Sequence, residues 1–134
     1  MARGRGPSPV SVLLIDDDVD ARQMYAEYLR AKGWNVFTAA DGRSGIDKAE
    51  ELSPDLIVLD LMMPRVDGWT VLQRVRGSSF TVLTPILVLT ATGDARDEAI
   101  RSGCTAYLTK PCPPDVLWMQ GTALLGSQFS MRKR

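Results

Sequence analysis

Aspartates close two apolar runs of this chain, LLIDDD at Leu13–Asp18 and LIVLD at Leu56–Asp60. A third run, LVLTA at Leu87–Ala91, carries the hydroxyl of Thr90, and an isolated Lys110 precedes Pro111. If these runs are parallel strands, carboxylates, hydroxyl and ammonium converge at one edge of a sheet, where open α/β folds bind ligands. Three carboxylates within a few ångströms of one another raise each other's proton affinity unless a cation joins them. Oxygen ligands with no His or Cys beside them select a hard ion, and a single Mg2+, which takes one or two carboxylates and keeps several waters, is the economical answer. The chemistry is that of a divalent cation and a phosphoryl group. Taken singly, each aspartate could instead cap the helix after its strand, as Asp18 could.

Composition narrows the frame in which such a site can work. The 134 residues, 45% hydrophobic and 24% charged, suit one globular domain with one core. Sixteen basic residues balance sixteen acidic ones, so nothing in the charge points to nucleic acid or to an anionic membrane. The chain has no His, which removes the usual general base and the commonest transition-metal ligand. Cys104 and Cys112 are too few for a disulfide framework, lack zinc-ligand spacing and read as reduced thiols. Met1–Pro9 is basic and rich in Gly and Pro, and reads as a disordered arm. The apolar run Val10–Ile15 behind it is too short for a signal sequence and ends in three aspartates, so the expected location is the cytoplasm.

Strands and helices alternate strictly along the rest. Strands are expected at Val10–Asp16, Trp34–Ala39, Asp55–Asp60, Pro85–Thr90 and Thr105–Thr109. The near-continuous apolar character of the first suits a strand buried on both faces. Helices are expected over Asp18–Lys32, with Gly33 as its stop; Arg43–Leu52, capped by Asp41 and weakened by Gly45; about Gly68–Arg76; and Asp94–Ser102. A last helix starts at the prolines 113 and 114 and ends near Gly126, leaving 127–134 as a flexible basic tail. The expected fold is α/β, a flavodoxin-like doubly wound (βα)5 sandwich with a parallel five-stranded sheet of order 2-1-3-4-5 and right-handed crossovers. The domain would span residues 10–126.

The tokens LLIDDD, DLIVLDLMMPRVDGW, ILVLTA and YLTKP, in this order and spacing, resemble the receiver domain of two-component response regulators over about Val10–Leu125. The resemblance implies that Asp60 accepts a phosphoryl group and that Asp16, Asp17, Asp60 and the Met62 main-chain carbonyl hold Mg2+. It implies that Thr90 and Lys110 contact the phosphoryl oxygens, and that the Lys110-Pro111 bond is cis. A sensor histidine kinase or histidine phosphotransfer protein would be the donor. In such domains the Thr90 hydroxyl moves on phosphorylation and the aromatic at the Tyr107 position turns inward; the alternative for Tyr107 is an amphipathic residue at the sheet edge. The fourth helix, fifth strand and fifth helix form the face through which receivers bind a downstream protein or dimerise. If the chain is complete it acts as a single-domain receiver; if it is a piece of a longer protein, an effector begins beyond Arg134.

Three features depart from the family pattern. Arg65 stands where Gly is common, which puts the backbone beside Asp60 in question. Met62 and Thr92, two places past Asp60 and Thr90, offer no carboxylate or amide to orient an attacking water, which points to slow self-hydrolysis. Gly121 lies in the last helix where a core residue is expected beside Leu117 and Leu124. Val116, Trp118 and Met119 flank that stripe, as a contact surface or as simple core packing. Among other classes, a phosphatase of the haloacid dehalogenase type needs an acid two places after its nucleophile, where this chain has Met62. An FMN carrier needs phosphate-cradling hydroxyls and amides where this chain has three aspartates. An interaction protein that keeps the receiver fold without being phosphorylated stays open.

Overall fold

The structure, a computed structural model, describes residues 9–132, with side chains to residue 126. Five strands, β1 (Ser11–Ile15), β2 (Asn35–Ala39), β3 (Leu56–Leu59), β4 (Ile86–Thr90) and β5 (Ala106–Thr109), alternate with five helices. The helices are α1 (Val19–Ala31), α2 (Gly42–Leu52), α3 (Gly68–Arg76), α4 (Arg96–Arg101) and α5 (Pro114–Arg132). All strand pairs are parallel, in the order β2-β1-β3-β4-β5. This is the expected doubly wound fold.

Every residue of β3 and β4 is buried, and so is all of β1 after Ser11. Period-two alternation divides these residues between two cores. Leu13, Ile15, Ile57, Leu59, Ile86 and Val88 face α2, α3 and α4, while Val12, Leu14, Leu56, Val58, Leu87 and Leu89 face α1 and α5. Aspartates start three of the helices. Asp18 accepts from the amides of Asp20 and Ala21, Asp41 from Ser44, and Asp67 from Thr70. The cap of α4 is Ala95, with no side-chain hydrogen bond. That helix, Arg96–Arg101, is shorter than the expected Asp94–Ser102.

Helix α5 is the main correction. It continues through Gly126 to Arg132, so residues 127–132 are helical and only Lys133 and Arg134 of the expected tail lie outside the described residues, as do residues 1–8 of the arm. Gly126 is not among the positive-φ glycines, and without a left-handed turn a glycine merely weakens a helix by about 1 kcal/mol. The buried stripe is Leu117, Gly121 and Leu125, with Leu124 at its margin. A Cβ on Gly121 would lie 2.9 Å from Trp34 Cη2 and 3.1 Å from Leu56 Cδ2, so the glycine lets α5 approach the sheet closely. Val116 and Trp118 pack against the core, and Lys32 Nζ sits 4.5 Å over the Trp118 ring; Met119 remains 57% exposed.

Arg76 organises the long connection between α3 and β4. Its guanidinium donates to the carbonyls of Gly103 at 2.8 Å, Thr84 at 2.7 Å and Val82 at 3.1 Å, and burial lowers its pKa. Replacing Arg76 by Ala leaves these carbonyls without their charged donor and is expected to cost about 2 kcal/mol, read as a lower urea midpoint with an unchanged slope.

Arg65 adopts φ 62, the left-handed conformation that glycine takes without strain. The backbone suited to glycine is therefore retained. Relief of a left-handed side chain is worth about 1 kcal/mol, and Arg65→Gly should raise the unfolding free energy by about that amount in the same assay.

Candidate functional site

Register brings the acidic residues together. Ile15 pairs with Leu59 across β1 and β3, so Asp16 and Asp60 leave the sheet side by side. Backbone bonds from the Asp16 amide to the Ala39 carbonyl, 3.1 Å, and from the Asp60 amide to the Ile15 carbonyl, 3.0 Å, extend the ladder one residue past each strand. Carboxylate oxygens of Asp16, Asp17 and Asp60 lie within 4.8 Å of one another. Asp16 and Asp60 are buried and Asp17 is exposed, which gives the cluster one open side.

Each buried carboxylate is oriented by the turn that follows it. The Asp18 amide donates to Asp16 Oδ1 and the Met62 amide to Asp60 Oδ1, both at 2.9 Å. Gly68, which opens α3, is pressed against the acceptor strand's end. A Cβ there would come within 2.3 Å of the Asp60 carbonyl oxygen and 2.4 Å of Leu61 Cα. No other residue fits without moving the Asp60 backbone.

Lys110 closes the cluster. Its Nζ donates to Asp16 Oδ2 at 2.7 Å and to Asp60 Oδ2 at 3.1 Å, and its amide donates to the Thr90 carbonyl at 2.8 Å. The Lys110-Pro111 bond is cis, as the resemblance implied. Burial disfavours the ammonium, but the Asp16 hydrogen bond and the Asp60 charge outweigh it and raise its pKa. Burial pushes the Asp16 carboxyl up, and the Lys110 and Asp18 hydrogen bonds offset this only in part. The donor set is all oxygen, carries excess negative charge and has an open side, which fits a hard divalent cation.

Thr90, at the end of β4, is fully buried, and its Oγ1 has no hydrogen-bond partner among the described residues. Tyr107 lies apart from the cluster. It pairs in register with Val88, its ring packs partly buried against the α2–α4 core, and its hydroxyl donates to the Thr92 carbonyl. The Met62 side chain is 60% exposed beside the site. Both cysteines are buried, and burial pushes their thiols up, in keeping with inert groups.

Two contacts from α1 escaped the sequence reading. Arg22 Nη1 donates to the Asp16 carbonyl at 2.8 Å, and Tyr25 Oη donates to the Cys112 carbonyl at 2.7 Å. The available signal was a phenol on the inner face of a helix, since buried tyrosine hydroxyls find partners.

Comparison with known proteins agrees with this fold. The DNA-binding dual master transcriptional regulator RpaA of Synechocystis is 42% identical over 116 residues, 85% of this chain and 48% of that protein. The chain thus spans about half the length of such relatives. The chemotaxis response regulator CheY4 of Vibrio cholerae superposes with a TM-score of 0.82 at 35% identity, covering 87% of this chain and 98% of that one. The receiver domain of a sensor histidine kinase from Pseudomonas aeruginosa, solved with a magnesium ion in its active-site cleft, has a TM-score of 0.82 at 26% identity, covering 89% and 99%. The family model of the response regulator receiver domain matches residues 12–120. With its sheet order and its strand-end site, the chain belongs to the response regulator receiver domain family.

Proposed function

We propose that Asp60 is the phosphoacceptor of this receiver and takes its phosphoryl group from a sensor histidine kinase or a histidine phosphotransfer protein. The unpartnered, buried Thr90 hydroxyl carries the reading. Leaving such an atom unpaired costs about 1–3 kcal/mol, which a phosphoryl oxygen at the end of β4 would relieve. Lys110, within hydrogen-bond reach of Asp60, would hold a second oxygen. The Met62 amide holds Oδ1 of Asp60 and the Lys110 ammonium holds Oδ2; Oδ2 is the nucleophile as the ammonium passes to a phosphoryl oxygen. That oxygen bonds to phosphorus as the bond to the donor's histidine breaks, giving an acyl phosphate on Asp60 and a free imidazole on the donor.

Asp16, Asp17, Asp60 and the Met62 main-chain carbonyl would hold Mg2+, a choice supported by their oxygen-only chemistry and by the magnesium in the Pseudomonas relative. When bound, the ion offsets the repulsion between acceptor and donor and stabilises charge on the transferring oxygens. Catalysis by this chain is confined to its own phosphorylation and dephosphorylation.

Thr90 and Tyr107 form the switch. The Tyr107 hydroxyl ties β5 to the loop two residues past Thr90, so a shift of Thr90 towards the phosphoryl group acts on that tether. The α4/β5/α5 face then engages a downstream protein or a second copy of the chain. This receiver segment itself contacts neither nucleic acid nor membrane and works in the cytoplasm; among the described residues no helix is long and apolar enough to cross a membrane.

The direct test is intact mass after incubation with phosphoramidate. A phosphoryl gain is expected that requires Mg2+ and is lost in Asp60→Asn; a gain that survives the substitution would remove Asp60 from the role. The exposed Met62 gives water no carboxylate or amide to bind, so the acyl phosphate should be long-lived. Met62→Asn is expected to speed its loss about tenfold, followed by the decay of the phosphorylated mass.

A further inference from the structure

Helix α1 touches two of the loops that build the site. Arg22 and Tyr25, three residues apart and so neighbours on the helix surface, reach respectively the Asp16 carbonyl and the Cys112 carbonyl. The second bond joins positions 87 apart in sequence and is buried, with Tyr25 only 3% exposed. Burial pushes the phenol up from its ordinary value, so it stays a donor.

Cys112 lies two residues past Lys110. On the other side, the Lys110 amide is fixed to the Thr90 carbonyl by the sheet. The backbone that delivers the ammonium is therefore pinned twice, by β4 before it and by Tyr25 after it. A lysine side chain is long and freely rotatable, so where its ammonium sits depends on where its backbone is held. A phenylalanine in place of Tyr25 would keep the ring in the core but leave the Cys112 carbonyl without this donor.

We propose that Tyr25 is a positioning residue for phosphoryl transfer, acting through Lys110 by holding the Cys112 carbonyl and with it the loop from which the ammonium reaches Asp60. This deepens the function proposed above and rests on it. Small misplacements of a reacting group are costly in rate, and the effect expected here is about tenfold.

The experiment compares Tyr25→Phe with the unsubstituted chain, both alone and in a Lys110→Ala background. Phosphorylation by phosphoramidate is followed by intact mass, and Mg2+ affinity by calorimetry. Tyr25→Phe should slow phosphorylation about tenfold when Lys110 is present and less than twofold when it is absent, at unchanged Mg2+ affinity. Equal slowing in both backgrounds, or none in either, overturns the inference. A readout independent of transfer is hydrogen exchange of the Lys110 ammonium in 15N-lysine-labelled protein, which Tyr25→Phe should accelerate about tenfold; unchanged exchange also overturns it. Far-UV circular dichroism checks folding, with 4-fluorophenylalanine at position 25, which fills the hydroxyl's place without donating, as the second variant if Tyr25→Phe does not fold. An unsubstituted chain that takes no phosphoryl group would overturn the function itself, whereas normal phosphorylation with an indifferent Tyr25→Phe overturns only the role of Tyr25.

Discussion

Mutual repulsion among Asp16, Asp17 and Asp60 is the constraint around which the carboxyl edge of the sheet is built. Parallel register sets their oxygens within 4.8 Å of one another, an arrangement that isolated carboxylates would resist. One ammonium, from Lys110, binds two of them. Lys110 follows the edge strand β5, and its long side chain spans from there to the aspartates that follow β1 and β3.

A single shared ammonium leaves the cluster with more negative than positive charge, and burial raises the Asp16 carboxyl. Hydrogen bonds from the Asp18 and Met62 amides hold the buried carboxylates in place without adding a full positive charge. The site is thus rigid in its backbone and incomplete in its charge, which suits a centre that must accept a cation and then an anionic group. The unsatisfied Thr90 hydroxyl extends the same incompleteness to the next strand, and the Tyr107 bond to the Thr92 carbonyl links that strand's end to β5.

The sequence made the site's chemistry legible because strand-end aspartates, a strand-end threonine and a lysine before proline are local tokens, and the parallel sheet supplies their convergence. Strand positions were legible for the related reason that β1, β3 and β4 are buried on both faces and so are almost uninterrupted apolar runs. The end of α5 was not, since Gly126 has the composition of a stop but lacks the left-handed backbone that makes one. Nor could the choice of Leu125 over Leu124 be read, because it is set by the close approach of Gly121 to Trp34 and Leu56. Arg22, Tyr25 and Arg76 act on main-chain carbonyls outside their own helices, and a carbonyl leaves no mark on the residue type that carries it.

The most direct measurement of the central claim is a crystal structure with Mg2+ and beryllofluoride, an analogue of the phosphoryl group. The account predicts the metal on Asp16, Asp17, Asp60 and the Met62 carbonyl, and the fluoride group on Asp60 with Lys110 and the Thr90 hydroxyl both donating to it. A metal bound elsewhere, or a Thr90 hydroxyl still without a partner while the analogue occupies Asp60, would contradict it.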